Sequence, residues 1–399
     1  MLNATLVMER AATYEKEMVN FLRDMIKIPS ESCNEERVIL RIKEEMEKVG
    51  FDEVKIDKMG NVLGRIGNGS KIIAMDAHID TVGVGDKDSW KWDPFEGKVE
   101  DGVIFGRGAS DQEASMASMV YAGKVIKDLG LHGDYTLWVT GTVQEEDCDG
   151  LCWQYILKEN ILKPEVVVIT EPTNLGIYRG HRGRMEMSVT TNGVSCHGSA
   201  PERGENAVYS IAKVVNEIEK LDGRLKDDSF LGKGTVTVSY IECDTPSLCA
   251  VPDRGYIHLD RRLTDGETME SAVVEVEDAV KRGGVKASVD VLDYDTPSYN
   301  GFVYPTKKYY PTWVLEEDHP LCKAAIKNYK ILFGEEPRVD KWTFSTNGIA
   351  TMGMMGVPTI GFGPANEIYA HSTDDQCPIE HLIKACAWYA AFPTTWCEK

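Results

Sequence analysis

The sequence lacks any apolar run long enough to cross a membrane. Among its 399 residues, no stretch approaches the roughly 18 to 20 consecutive apolar residues that a membrane-spanning helix needs. The N-terminal segment MLNATLVMERAATYEKEM carries charged residues where the apolar part of a secretory signal would lie. We therefore expect a cytoplasmic protein without a membrane partner.

Positive charge is also scarce, with 44 Lys and Arg residues against 64 Asp and Glu residues and a net charge of -20. This balance repels phosphate backbones and anionic lipids, so it argues against a nucleic-acid partner. Hydrophobic residues make up 42% of the chain, which is typical of a globular protein, and the length predicts two or three domains. A small molecule or a dipeptide is the expected partner.

Cysteine is too sparse for a disulfide scaffold, because ten cysteines are scattered through the chain without short, regular spacings. We expect reduced thiols. Cys148 and Cys152 have the spacing of half a zinc site, but no second pair accompanies them, so ordinary packing is the favoured interpretation over a structural zinc ion.

Short apolar runs alternate with helical patterns along most of the chain, which predicts an α/β fold whose sheet is buried on both faces. A different order, strand-helix-strand-strand-helix-strand, occupies the middle and predicts a small inserted α+β domain. The predicted domains are a first catalytic part at 1–180, an inserted dimerisation or lid domain at 181–297, and a second catalytic part at 298–399. The apolar runs that predict strands of the larger sheet are 72–77, 135–142, 165–170 and 357–362.

Metal-ligating side chains follow the predicted strands at the ends where α/β proteins place their sites. They are His78 and Asp80, Glu145 and Glu146, Glu171, and His371, with Asp111 after a glycine-rich stretch. Two imidazoles and three carboxylates suffice for two metal ions if Asp111 bridges them, and such a mixed nitrogen and oxygen set suits zinc. In that count Asp80 and Glu145 are left over.

The ordered set of motifs resembles the ArgE/DapE/aminoacylase/carboxypeptidase G family of dinuclear zinc hydrolases, and most closely its selenium-metabolism-linked branch. The motifs are HIDTV (78–82), GRGASD (106–111), QEED (144–147), TEP (170–172), CHGSAPERGENA (196–207), LDRRLTDGET (259–268) and YAHSTDDQ (369–376). The resemblance implies a mixed, largely parallel sheet flanked by helices, of the zinc exopeptidase type. It also implies an inserted ferredoxin-like dimerisation domain.

The resemblance further implies two zinc ions per subunit, with cobalt or manganese as alternatives, and hydrolysis of an amide next to a free carboxylate by a metal-bridging hydroxide. The implied metal ligands are His78, Asp111, Glu146, Glu171 and His371. Glu145 would be the general base, Asp80 would orient His78, and His197 of one subunit would serve the other subunit of a homodimer. Arg262 would hold a substrate carboxylate, and we expect Asn347 and Gly363 to contact the substrate.

The sequence departs from the family pattern in three places. Cys249 or a neighbour stands where many relatives have an asparagine, and Gln112 and Glu113 replace a methionine and a lysine after the bridging position. These changes suggest an altered substrate preference. The run YRGHRGR (178–184) contains three arginines, Arg179, Arg182 and Arg184, which could recognise an acidic group or form a solvated hinge.

Three functions are compatible with the sequence alone. The first is the metal-dependent amide hydrolase, and the second is a catalytically silent dimeric protein of the same fold that binds a metal or a ligand. The third is a cysteine hydrolase that uses Cys196 beside His197. Adjacent residues on an extended backbone point to opposite sides, so this pair is poorly placed for proton transfer.

Overall fold

The computed structural model describes residues 2–131 and 133–398. Within these residues, none of the helices combines the length and the hydropathy that crossing a bilayer requires. The α-helices in chain order are α1 Ala4–Ala12, α2 Glu15–Ile26, α3 Glu36–Val49, α4 Glu113–Leu129, α5 Leu151–Lys158, α6 Ala207–Asp222, α7 Met269–Arg282, α8 Pro320–Phe333 and α9 Ile379–Cys397.

The strands fall into one large sheet, one smaller sheet and several two- or three-stranded ribbons. In chain order they are β1 Glu53–Ile56, β2 Val62–Gly67, β3 Lys71–His78, β4 Lys98–Glu100, β5 Val103–Phe105, β6 Tyr135–Thr142, β7 Val166–Ile169, β8 Ile177–Tyr178, β9 Gly180–His181, β10 Gly183–Asn192, β11 Asp227–Asp228, β12 Gly232–Lys233, β13 Thr235–Asp244, β14 Arg254–Leu263, β15 Ser288–Val291, β16 Asp293–Tyr294, β17 Thr306–Lys307, β18 Tyr309–Tyr310, β19 Trp313–Val314, β20 Val339–Asp340, β21 Thr359–Gly361 and β22 Gln376–Pro378.

The large sheet has the order β1-β2-β6-β3-β7-β21-β8-β20, and its central strands β6, β3, β7 and β21 are parallel. These strands are apolar on both faces because helices cover both sides, as the fully buried run of β7 shows. The predicted fold class is therefore confirmed as a mixed α/β architecture with a largely parallel central sheet flanked by helices.

The register of this sheet brings three strand ends together. His78 at the end of β3 pairs with Thr142 at the end of β6, and Asp76 pairs with Ile169 at the end of β7. Since parallel strands share one carboxyl edge, the loops after β3, β6 and β7 must emerge side by side. The motifs that follow β3, β6 and β7 therefore lie close together in the structure, although they are far apart in sequence.

A smaller sheet with the order β13-β14-β10-β15 carries the helices α6 and α7 and a separate hydrophobic core. Strand, helix, strand, strand, helix, strand in this order is the ferredoxin-like arrangement expected for residues 181–297. After residue 297 the chain adds one more strand, β18, which pairs with β10. The predicted domain boundaries themselves stay a prediction.

Candidate metal centre

The centre is built around His78, whose side chain is buried at the end of β3. Its Nε2 atom lies 2.9 Å from Asp111 Oδ1, 3.5 Å from Glu171 Oε1 and 3.9 Å from Glu145 Oε2. One imidazole nitrogen therefore faces three carboxylates that come from three different loops. The proximity predicted from the strand ends is present.

Asp111 lies between the two imidazoles. Its Oδ1 atom faces His78, and its Oδ2 atom lies 3.3 Å from Nε2 of His371, which is also 2.9 Å from Glu146 Oε2. Two groups of potential ligand atoms, each within a 4.8 Å span, share His78: one with Glu145 and Glu171, the other with Asp111 and Glu146. A carboxylate with an imidazole at each oxygen is the arrangement that a bridging ligand requires.

The carboxylates of Glu145 and Glu171 are poorly satisfied by the protein. Oε1 of Glu145 and Oε2 of Glu171 are buried and have no hydrogen-bond partner among the described residues. Burial raises the pKa of both carboxyls well above their ordinary value. Because a buried unpaired acceptor is costly, these oxygens fit a site that holds cations.

The remaining groups form a charged network. Hydrogen bonds to Asp111 and Glu146 raise the pKa of His371 to about 10, and burial with the nearby Asp111 charge raises the pKa of Glu146 to about 7. Burial opposes ionisation of Asp111 and His78 alike. Even so, contacts with the two imidazoles lower the pKa of Asp111, and the charges of Glu171 and Glu145 raise that of His78. The acids and imidazoles thus stabilise one another.

Asp80 contacts His78 through its backbone and holds the next loop through its side chain. His78 Nδ1 lies 2.9 Å from the backbone oxygen of Asp80 but 3.6 Å from its carboxylate. That carboxylate accepts hydrogen bonds from the backbone N–H groups of Glu145 and Glu146 at 3.1 and 2.9 Å, and from the Ser32 hydroxyl at 2.7 Å. The predicted orientation of His78 therefore comes from a carbonyl, as is common for metal-ligating histidines.

A cavity of about 280 Å³ opens beside these groups. It is lined by the five predicted ligands and Glu145, by Arg184 and Arg262, and by Asp149, Phe344, Ser345, Glu367 and Ala370. The last five were missed by the sequence interpretation. Asp149 follows the QEED motif closely enough to have been found, whereas the others lie in segments without a metal-ligand or strand-end signal.

The two arginines face each other across neighbouring strands, since Arg184 on β10 pairs in register with Arg262 on β14. Arg262 is held by Asp260 through two hydrogen bonds of 2.8 and 3.0 Å, and Arg184 donates to Glu186 at 2.6 Å. Like charges directly opposite are unfavourable in a sheet, so each arginine is balanced by an acid two residues away on its own strand.

Two predicted substrate contacts lie behind the cavity wall. The Asn347 amide donates to Asp76 at 2.8 Å and accepts from the Gly150 backbone at 2.9 Å, so its polar atoms are used within the protein. Gly363 packs against the chain, where an added Cβ would lie 2.1 Å from the Glu171 carbonyl oxygen. In this structure neither residue lines the cavity, and their substrate roles stay a prediction.

His197 is exposed and also lies outside the lining of this chain's cavity. The Ser199 hydroxyl lies 2.7 Å from its Nδ1 atom, which also accepts from the Ser199 backbone at 3.1 Å. Arg179 and Arg182 donate to backbone carbonyls of Leu315 and Lys233, unlike Arg184 in the same cluster. The three arginines therefore have different surroundings.

Comparison with known proteins matches one family over most of the chain. The model of "Peptidase family M20/M25/M40" matches residues 74–395. An Escherichia coli (strain K12) protein named uncharacterized protein YgeY is 57% identical over 98% of this chain and 97% of its own length. A probable succinyl-diaminopimelate desuccinylase of Staphylococcus aureus (strain Mu50) is 24% identical over 91% and 95%.

Among solved structures, the M20 family metallo-carboxypeptidase Sso-CP2 from Sulfolobus solfataricus superposes with a TM-score of 0.76. It is 19% identical in sequence, and the match covers 95% of this chain and 99% of that one. At that identity the likeness establishes the fold.

Proposed function

Because the chain belongs to the peptidase family M20/M25/M40, we propose that it is a two-metal hydrolase that cleaves an amide bond next to a free carboxylate. The substrate class is a dipeptide or an N-acyl amino acid. The family resemblance predicted from the motifs is confirmed, whereas the narrower likeness to selenium-linked hydrolases stays a prediction. Zinc is the proposed metal, with cobalt or manganese as alternatives.

The observation that carries the proposal is the position of Asp111 between His78 and His371, beside buried carboxylate oxygens that accept no hydrogen bond from the described residues. We assign one ion to each imidazole, with Asp111 shared between them. Glu146 then completes one set of ligands and Glu171 the other. This donor set suits zinc and leaves an open position for substrate.

Bound divalent ions supply Lewis acidity, which lowers the pKa of water to about 7 and polarises the amide carbonyl. Glu145 is the proposed general base, because it lines the cavity and its Oε1 atom has no hydrogen-bond partner among the described residues. In this role Glu145 would take a proton from water and return it to the leaving nitrogen. Asp80 fixes the backbone of Glu145 while this happens.

Arg262 is the proposed carboxylate anchor. Its Nε and Nη2 atoms are engaged by Asp260, and its Nη1 atom makes no hydrogen bond to the described residues. The fork to Asp260 fixes the guanidinium plane and leaves Nη1 for a substrate carboxylate. A carboxylate bound by Arg262 would lie in the cavity that the proposed metal ligands also line.

We propose a homodimer in which His197 reaches the other subunit. Two features support this: His197 is exposed and does not line its own chain's cavity, and β13 lies at an edge of the smaller sheet. On that strand Tyr240 and Ile241 are 54% and 56% exposed. An apolar edge strand is a ready surface for pairing with a second copy.

The first experiment measures metal content and turnover on N-acetyl, N-succinyl and N-carbamoyl amino acids and on dipeptides. Glu145→Gln is expected to retain its zinc and to lose about a thousandfold in kcat, the size of a general-base contribution. Glu113→Gln is the matched control, because Glu113 is also buried with an unpartnered oxygen but does not line the cavity. Wild-type protein that binds zinc and turns over no amide would favour the silent binding protein.

The second experiment tests the anchor and the dimer. Arg262→Gln should raise KM for substrates with a free carboxylate and leave KM for their amidated forms unchanged.

Mixing inactive Glu145→Ala and His197→Ala protomers should restore activity, because one of the two sites in a mixed dimer then has both groups. A mixture that forms dimers and stays inactive would refute the role of His197 across the interface.

A further inference from the structure

We propose that Gln144 is a positioning residue that links the return segment of the inserted domain to the loop presenting Glu145 and Glu146. The return segment is residues 292–296, which directly follow β15. The inference rests on the proposed function for its catalytic consequence, but the physical link is a property of the chain itself.

The backbone of this loop is held by buried carboxylates. Gln144 has a positive φ of 60°, which is unfavourable for a residue with a side chain, and its N–H donates to Glu35 Oε1 at 3.1 Å. The next two N–H groups, of Glu145 and Glu146, donate to Asp80. Three consecutive peptide groups are thus fixed by two acids, and the first of them is at Gln144.

The side chain of Gln144 points to a different part of the molecule. Its buried amide nitrogen lies 3.0 Å from the Tyr294 hydroxyl, 3.3 Å from the Thr296 carbonyl oxygen and 3.2 Å from Cys33 Sγ. Tyr294 and Thr296 belong to the return segment. The backbone of Gln144 therefore belongs to the catalytic loop, and its side chain contacts the return segment of the inserted domain.

Tyr294 contacts the same loop at a second residue. Its hydroxyl donates to Asp147 Oδ2 at 3.3 Å, so contacts from Tyr294 flank Glu145 and Glu146 on both sides. Tyr294 itself is buried in the larger core, only three residues after the end of β15. β15 pairs with β10, which pairs with the strand that carries Arg262.

A continuous path therefore connects the proposed carboxylate anchor to the proposed base: β14, β10, β15, the return segment and Gln144. A displacement of the smaller sheet shifts Tyr294 and, through it, the backbone of Glu145. By this path, binding at Arg262 would affect the position of Glu145 without a direct contact between the two residues.

The experiment is a double-mutant cycle with Gln144→Ala and Tyr294→Phe. Each single variant should lower kcat about tenfold, the cost of one lost hydrogen bond in the transition state, with zinc content unchanged and KM within about twofold. The double variant should lose less than the product of the two single losses, because both substitutions remove the hydrogen bond between Gln144 and Tyr294. Gln144→Asn, which keeps the amide on a shorter side chain, covers the case in which Gln144→Ala does not fold.

Tyr299→Phe is the matched control. Tyr299 lies five residues further along, and its hydroxyl donates to the Gly60 carbonyl oxygen at 3.1 Å and not to a residue of the loop 143–148. This variant should keep the wild-type kcat. Additive losses in the cycle, or an equal loss in Tyr299→Phe, would overturn the proposal in favour of a general effect of packing.

Hydrogen–deuterium exchange of residues 143–148 gives a readout that does not require activity. Tyr294→Phe should speed exchange in this segment in both metal-free and zinc-loaded protein, and Tyr299→Phe should not. Unchanged exchange in Tyr294→Phe would refute the link whatever the kinetics show. If no amide is hydrolysed by the wild type but exchange responds as expected, the proposed function fails and the link stands.

Discussion

Two sets of buried carboxylates lie close together in this molecule and differ in how their oxygens are satisfied. Asp76 and Asp375 have both oxygens hydrogen-bonded by protein groups, whereas Glu145 and Glu171 each have a buried oxygen without a partner among the described residues. Both sets are almost fully buried. Burial alone therefore does not separate structural acids from those that we assign to the metal centre.

The pKa shift does not separate them either. Burial raises the pKa of Asp375 to about 6 and also raises the pKa of Asp76, as it does for the glutamates. The two sets differ in how many hydrogen-bond donors surround each carboxylate. Asp375 accepts from Arg107, Ser110 and the Gly108 backbone and so fixes the loop before Asp111. A carboxylate with such partners needs no cation, whereas Glu145 and Glu171 each lack a donor on one oxygen and also lie within 4 Å of the His78 imidazole.

The largest expected effect comes from the carboxylate shared between the imidazoles. Asp111→Ala should reduce the zinc content from two equivalents to near zero and abolish turnover, because both proposed ions lose a ligand at once. Elemental analysis of protein dialysed against zinc checks this. Two equivalents of zinc retained by the folded variant would show that the assignment of ligands is wrong.

The matching change in the structural set should cost stability. Asp375→Ala leaves the Arg107 guanidinium buried without its partner, which is expected to lower the free energy of unfolding by about 3 to 5 kcal/mol. Chemical denaturation measures this. Asp374→Ala is the matched control at an exposed neighbour and should have little effect. Equal stabilities of the two variants would remove the distinction between the two sets.

The sequence predicted the large-scale arrangement because apolar runs mark the strands, and parallel strands bring their carboxyl ends together. The bounds predicted for β6, 135–142, are those of the structure, and His78, Glu146 and Glu171 converge. Helix α1 was not predicted, although Asn3 caps it by accepting from the Leu6 backbone. An amphipathic helix of nine residues gives too short a pattern to stand out.

Side-chain detail was less predictable, since it depends on local turns and on contacts between distant segments. The motif HIDTV suggested that the Asp80 carboxylate orients His78, and in the structure the Asp80 carbonyl lies nearer to Nδ1, at 2.9 Å against 3.6 Å for the carboxylate. Ser345 and Glu367 line the cavity although they belong to segments far along the chain, and no sequence motif predicted this position. No motif predicted the contact between Asn347 and Asp76, because the two residues are remote in sequence.

A smaller effect is expected at Asp76, where the donors are neutral. Its carboxylate accepts from the hydroxyls of Thr140 and Thr142 at 2.7 and 3.1 Å and from the Asn347 amide. Asp76→Asn replaces one acceptor by a donor and should lower the free energy of unfolding by about 1 to 3 kcal/mol, with zinc content unchanged. Loss of zinc from folded Asp76→Asn would place this residue with the metal centre instead.

The pH dependence of thermal stability also distinguishes the two sets, when the curves with and without zinc are compared. In metal-free protein the pKa of Glu146 is raised from 4.5 to about 7, so this group favours the folded state at low pH and loses that contribution as pH rises through 7. The pKa of His371 is raised from 6.5 to about 10, so its contribution is complete below pH 6.5 and is lost as pH rises towards 10. Both signs agree, and the Tm of metal-free protein should fall between pH 5 and pH 9.

Zinc competes with these same protons, so the increase in Tm that zinc produces should grow over that pH range. Asp375 also titrates, with a pKa of about 6, but its partners are protein groups that remain in place with or without metal. Its contribution therefore cancels when the chelated and zinc-loaded curves are subtracted. If the zinc-induced increase in Tm is constant from pH 5 to pH 9, Glu146 and His371 are not the groups that bind the metal.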